Sequence, residues 1–222
     1  MKIAIDGPSG AGKSSVSKAL AKELGVIYVD TGALYRTIGY HIRKCNILPT
    51  DKTGVIAQLP NIKLELKYID GTQAVFLNGE NLGDLIRQPE ISMYASAVSA
   101  IPEVRTFLLD TQRDIARNND VIMDGRDIGT VILPDADIKI FLTASLENRA
   151  KRRYDELTAK GVQVNFDDVL REMKERDDND AGREVAPAVA AADAIVVDNT
   201  GFTVEQSVNT LLNIINKRLN RE

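Results

Sequence analysis

A chain of 222 residues that is 44% hydrophobic and 27% charged has the balance of an ordinary globular protein, long enough for one good core with smaller subdomains. Its net charge of −4 offers no basic field for nucleic acid, and a single cysteine, Cys45, excludes an internal disulfide framework and a cysteine metal cluster. No apolar run nears the roughly 20 residues of a membrane span, and a strand pattern opens the chain in place of a signal peptide, so the expected compartment is the cytoplasm.

The first fifteen residues organise the rest. Lys2-Ile3-Ala4-Ile5-Asp6 is a short apolar run, and Gly7-Pro8-Ser9-Gly10-Ala11-Gly12-Lys13-Ser14-Ser15 follows at once. An amphipathic helix pattern then reaches Leu24. The spacing G-x-x-x-x-G-K-[ST] between a strand and a helix is that of a phosphate-binding loop. Glycines let successive N–H groups converge on one anion, and the helix N-terminus adds its own. Lys13 can reach the β- and γ-phosphates of a nucleoside triphosphate, and the Ser14 hydroxyl suits Mg²⁺, with phosphate and water completing the shell.

Further apolar runs lie at Val26 to Val29, Val121 to Asp124, Ile138 to Leu142 and Ala194 to Val197, separated mostly by helical patterns. This alternation predicts an open parallel α/β sheet buried on both faces, with ligands at the carboxyl ends of its strands. Polar segments sit at those ends: Asp6-Gly7, Asp30-Thr31-Gly32, Asp124-Gly125-Arg126-Asp127 and Asp198-Asn199-Thr200-Gly201. Two stretches depart from the alternation. Residues 62–82 alternate apolar and polar around Asp70-Gly71 and Asn78-Gly79, which predicts a small antiparallel insert. Glu147 to Glu184 is rich in arginine and aspartate and breaks at Lys160-Gly161, the pattern of a helical lid. Thr203 and Gln206 form a capping box before a last helix, Val204 to Leu219, and the tail Asn220-Arg221-Glu222 is expected to fray.

His41 is the only histidine and falls on a helix pattern, as does Cys45, read as a small half-buried apolar residue. The chemistry must therefore proceed without a histidine base. A switch GTPase would need a late N-K-x-D, which is absent, and a motor would need a longer sheet. An acceptor that is itself a phosphate monoester needs no base, because its oxygen is anionic near neutral pH. What it needs is cations to bring two polyanions together. Arg36, Arg126, Arg149, Arg152, Arg153, Arg176 and Arg183 stand at strand ends or in the lid, and a closing lid would exclude water. These residues favour a nucleotide kinase over a sugar kinase.

Four blocks now carry a resemblance: the phosphate loop, Asp30-Thr31-Gly32-Ala33-Leu34-Tyr35-Arg36, Asp124-Gly125-Arg126-Asp127-Ile128-Gly129-Thr130 and Lys174-Glu175-Arg176-Asp177-Asp178. Together they resemble the bacterial cytidylate kinases, nearly end to end. The resemblance implies the nucleoside-monophosphate kinase fold: a five-stranded parallel core flanked by helices, a monophosphate-binding subdomain carrying a small antiparallel β insert, and a helical lid. The expected division is core 1–30, 106–146 and 185–222, monophosphate-binding subdomain 31–105 and lid 147–184. It also implies γ-phosphoryl transfer from Mg·ATP to CMP or dCMP by a monomer without nucleic-acid or membrane partners. Gly7 to Ser15 would hold ATP. Thr31, Tyr35 and Arg36 would line the acceptor site, with Arg36 and Arg126 on the CMP phosphate, and Ser96, Arg105 and Asp127 would face cytosine. Arg176 and Asp180 would lie near the ribose and Arg183 on phosphate, leaving Lys13, Arg126, Arg176 and Arg183 as the catalytic cations. Cytosine chemistry agrees: a carboxylate accepts from the N4 amino group, whereas uracil would oppose it with an acceptor.

Overall fold

The structure, a computed structural model, describes residues 1–69 and 72–219. The chain divides into two compact units, Met1–Tyr28 with Asn119–Glu222, and Val29–Asn118. In chain order it begins β1 (Lys2–Asp6), α1 (Lys13–Leu24), β2 (Ile27–Asp30), α2 (Thr31–Lys44) and α3 (Lys52–Gln58). The insert follows as β3 (Leu64–Ile69), β4 (Thr72–Leu77) and β5 (Glu80–Asn81), then α4 (Pro89–Val98) and α5 (Pro102–Asn118). The chain closes with β6 (Val121–Gly125), β7 (Ile138–Thr143), α6 (Leu146–Ala159), α7 (Phe166–Ala181), β8 (Ile195–Asp198) and α8 (Val204–Arg218).

The large sheet has the order β2-β6-β1-β7-β8, with β1 parallel to both neighbours and β7 parallel to β8. Ile3, Ala4 and Ile5 of the central strand are fully buried, which is why β1 reads as a continuous apolar run. Val16 and Leu20 of α1 and Leu211 and Ile215 of α8 join them in one core. Register pairs Asp6 with Gly125 on one side and Phe141 on the other, so the phosphate loop leaves the sheet beside Asp124 and Gly125. The predicted capping box is formed at Thr203 and Gln206. The last strand lies one residue later than its apolar run suggests, because Asp198 continues the pairing to Thr143.

The helices α6 and α7 have a small core of their own, built from Ala150, Leu157, Val169 and Met173. The expected break falls at Lys160 and Gly161, immediately after α6. In the second unit Ile38, Ile42, Ile91, Val98 and Leu108 form a separate core under the insert. The insert is a three-stranded antiparallel sheet, and Val75 and Leu77 face that core, two residues apart as the pleat requires. Asn78 and Gly79 make its second turn with positive φ, 51° and 86°, while the predicted Asp70-Gly71 turn and the tail Asn220-Arg221-Glu222 lie outside the described residues. Cys45 corrects the half-buried expectation: α2 ends at Lys44, the chain turns at Asn46 with φ 55°, and the thiol is exposed.

Candidate active site

The phosphate loop is built from carbonyls held outward. Gly7 sits so close to β7 that a Cβ would lie 2.0 Å from the Leu142 carbonyl oxygen, and its φ is 148°. Only glycine fits there. Arg149 donates to the Ser9 carbonyl at 2.9 Å, and Asn199 Nδ2 donates to the Ala11 carbonyl at 3.0 Å. Lys13 Nζ donates to the carbonyls of Gly7 and Pro8, both at 2.7 Å. Ser14 and Ser15 are exposed at the start of α1.

Lys13 is buried, and burial pushes its ammonium well below the usual lysine range. The cations of Arg126 and Arg176 push the same way, against Asp124 and Asp6. Like charges gathered in a dry place are relieved by an anionic ligand. Ser14 Oγ donates to Asp124 Oδ2 at 2.7 Å, and Tyr28 donates to Asp124 Oδ1 at 2.9 Å. A hydroxyl backed by a buried carboxylate at a strand end fits Mg²⁺, a hard cation that takes oxygen donors. Among the described residues no group of three or more histidine, cysteine or acidic side chains could hold a metal.

Asp6, at the end of β1, binds the turn that follows β6. Its carboxylate accepts from the N–H of Ile128 at 2.8 Å and of Gly129 at 2.7 Å, and so fixes the turn Ile128–Ile132 to the strand before the loop. Burial raises the Asp6 carboxyl to about 6, aided by the nearby charge of Asp127 and opposed by those two N–H groups and Lys13. Asp127 itself is buried, and its side chain caps nothing in that turn.

Arg126 donates to Asp180 Oδ2 at 2.9 Å, and Arg183 is paired with the other oxygen of the same carboxylate. Burial works to raise the Asp180 carboxyl, but Arg126, Arg183 and Arg176 together hold it below the usual range. The expected cations Arg126, Arg176 and Arg183 are thus gathered around one buried anion. Arg149 and Arg153 behave differently. Arg149 is buried, with its guanidinium on the carbonyls of Ala144 and Ser9 and on Asp177. Arg153 pairs with Glu156 one turn along α6.

The second unit holds its own set. Asp30 caps α2 by accepting from Ala33 N–H at 3.0 Å and pairs with Arg36 at 2.7 Å. Thr31 is buried on the first turn of α2. Arg105 stands over the ring of Tyr35, 5.6 Å from its centroid, and donates to the Ser99 carbonyl at 3.1 Å. Ser99 in turn donates to the Ser96 carbonyl at 2.8 Å, which joins Tyr35, Ser96 and Arg105 into one cluster. Sequence reasoning placed Asp6 and Asn199 at strand ends without giving them a role, and missed Gln73 and Arg149 as a loop contact. Asp6 carried a signal, since it is the one charge that ends an otherwise apolar central strand.

A central parallel strand running into a glycine loop, with its lysine and serine at the first turn of a helix, defines a P-loop nucleotide-binding protein. Residues 3–217 match the family model described as cytidylate kinase. A cytidylate kinase of Caldicellulosiruptor bescii is 50% identical over 222 residues, covering 100% of this chain and 98% of that protein. One of Ligilactobacillus salivarius is 47% identical over 218 residues, covering 98% and 97%. Among solved structures, an uncharacterised protein of Eubacterium ventriosum shares the fold with a TM-score of 0.56 at 14% identity, covering 98% of each chain. The chain belongs to the cytidylate kinase family.

Proposed function

We propose that this protein transfers the γ-phosphoryl group of ATP to CMP and dCMP, giving ADP with CDP or dCDP. Family membership supports the reaction, and the observation that carries it is the crowding of buried Lys13 by Arg126 and Arg176 beside the phosphate loop. Such a cluster suits a transition state whose charge spreads over the oxygens of the transferring group. The attacking oxygen of CMP is already anionic near neutral pH, so no general base is required.

The residues divide the work. Gly7 to Ser15 hold the triphosphate through the backbone N–H groups of the residues other than Pro8, with Lys13 on its terminal phosphates. Ser14, oriented by Asp124, would hold Mg²⁺, which when bound neutralises phosphate charge. Arg126, Arg176 and Arg183 exchange their hold on Asp180 for phosphate oxygens. Thr31, Tyr35 and Arg36 contact the acceptor, and Arg36 leaves Asp30 for the CMP phosphate. Ser96 and Arg105 donate to the cytosine ring acceptors, Asp127 accepts from its amino group, and Asp180 turns toward the ribose. Lid motion of 147–184, a monomeric state and a cytoplasmic location belong to the same reading. No helix among the described residues is long and apolar enough to cross a membrane.

The test is ADP release from Mg·ATP with CMP, dCMP, UMP and AMP. Turnover favouring CMP and dCMP is expected, and Asp127→Ala should relax the preference against UMP. Equal turnover with UMP would remove the role given to Asp127. No stimulation by any monophosphate would overturn the kinase reading.

A further inference from the structure

Three side chains from α6 and the loop after β8 grip alternate carbonyls of the phosphate loop. Arg149 holds Ser9, while Arg152 at 3.3 Å and Asn199 at 3.0 Å share Ala11. The peptide bonds are trans, so in each planar unit the N–H of the next residue points away from the carbonyl. With the carbonyls of Ser9 and Ala11 held on the outer side, the N–H groups of Gly10 and Gly12 are turned to the opposite, inner side. Both glycines carry the positive φ that this alternation demands, 74° and 84°.

Each gripping group is itself fixed. Arg149 is held by the Ala144 carbonyl at 2.9 Å and by Asp177 of α7 at 2.6 Å. Asn199 extends the sheet edge, donating its N–H to the Thr143 carbonyl at 2.8 Å, and its amide also reaches Ser207 of α8 at 3.4 Å. Arg152 donates further to the Asn199 carbonyl at 3.0 Å. Gly10 is closely packed from behind: a Cβ there would lie 2.7 Å from the flexible end of Met173 at Cε and 3.1 Å from Arg149 Cβ.

We propose that Arg149, Arg152 and Asn199 are positioning residues that pre-orient the phosphate loop, setting Gly10 and Gly12 N–H to receive the triphosphate before it arrives. They contact the loop from outside and act through it. An arginine that solvates a carbonyl and an amide that solvates its neighbour remove the need for the loop to reorganise on binding, which strengthens the bound anion. The inference rests on the loop being the ATP site.

The experiment uses the intact protein and inorganic tripolyphosphate with Mg²⁺, a probe with no base or sugar, titrated by calorimetry. Asn199→Leu is close in size and removes the Nδ2 donor without adding a charge beside the anion, and Arg149→Lys keeps the charge beside Asp177 but loses the fork. Each should weaken tripolyphosphate binding and raise KM for ATP by about tenfold, the weight of one lost buried hydrogen bond. KM for CMP should move less than about twofold, a split that general loss of stability would not produce. If Arg149→Lys fails to fold, the half-exposed Arg152→Lys and Asn199→Leu carry the test. Unchanged tripolyphosphate binding with a lowered Tm, or equal rises in both KM values, would overturn the positioning role. Lys13→Ala separates the two readings: an unsubstituted protein that binds tripolyphosphate through Lys13 keeps the ATP site even if the positioning role fails. One that does not bind removes both.

Discussion

The side-chain amide of Gln73 bonds the backbone of Asp30 from both sides: Oε1 accepts from the Asp30 N–H at 2.8 Å, and Nε2 donates to the Asp30 carbonyl at 3.2 Å. A residue of the insert sheet thereby replaces a strand partner at the point where β2 becomes α2. Asp30 at that point caps the helix and holds Arg36. Gln73 thus ties the insert to the start of α2, beside the apolar packing of Val75 and Leu77. Gln73→Glu keeps the shape but sets a carboxylate oxygen against the Asp30 carbonyl. KM for CMP should rise about tenfold while KM for ATP stays within about twofold, measured by steady-state kinetics.

Asp124 accepts from the hydroxyl of Ser14, the residue proposed to hold Mg²⁺. Replacing its carboxylate by an amide, Asp124→Asn, leaves Ser14 Oγ and the Tyr28 hydroxyl competing for one acceptor. Partners of this kind are worth about 10- to 100-fold in metal affinity or activity. Mg²⁺ titration of turnover should show a half-saturation raised by that factor, with the maximal rate partly recovered at high Mg²⁺. An unchanged Mg²⁺ dependence would detach Asp124 from the metal.

Asp6 makes stability depend on pH in a stated direction. Its folded carboxyl lies at about 6 against 3.8 for the ordinary group, so between these values the folded state binds the extra proton. The contribution of Asp6 is therefore greatest below pH 3.8 and falls as pH rises through 6. At about 1.4 kcal/mol per pH unit the loss is about 3 kcal/mol. Asp6→Asn removes this titration. Denaturant unfolding from pH 4 to 7 should show the variant gaining on the unsubstituted protein as pH rises, from a lower start set by its poorer bonds to Ile128 and Gly129.

The capping box at α8 is a separable stability element. Thr203 accepts from Gln206 N–H at 3.1 Å and the Gln206 side chain accepts from Thr203 N–H at 2.9 Å. Thr203→Ala should cost about 1 kcal/mol, or about 2–4 °C in Tm. KM for ATP and CMP should not change.

Much of the local structure was legible in the sequence. The five apolar runs became the parallel sheet, the Lys160-Gly161 break separated α6 from α7, and Thr203 with Gln206 formed the predicted cap. Each is settled by neighbours a few residues apart, where turn chemistry, capping and hydrophobic period act directly. The arginines were less legible. Arg126, Arg149 and Arg153 look alike in sequence, yet one is paired with buried Asp180, one is buried against the loop and one is partly exposed on α6.

By itself the sequence determined the phosphate loop, the strand and helix alternation and the family, because these depend on residue type at fixed short spacing. The tertiary structure decided which side chain serves which backbone group. Arg149 meets Ser9 across 140 residues, Asn199 meets Ala11 across 188, and Asp6 meets Gly129 across 123. A carbonyl or N–H in the interior must find a partner, and packing alone decides which distant side chain is near enough to provide it.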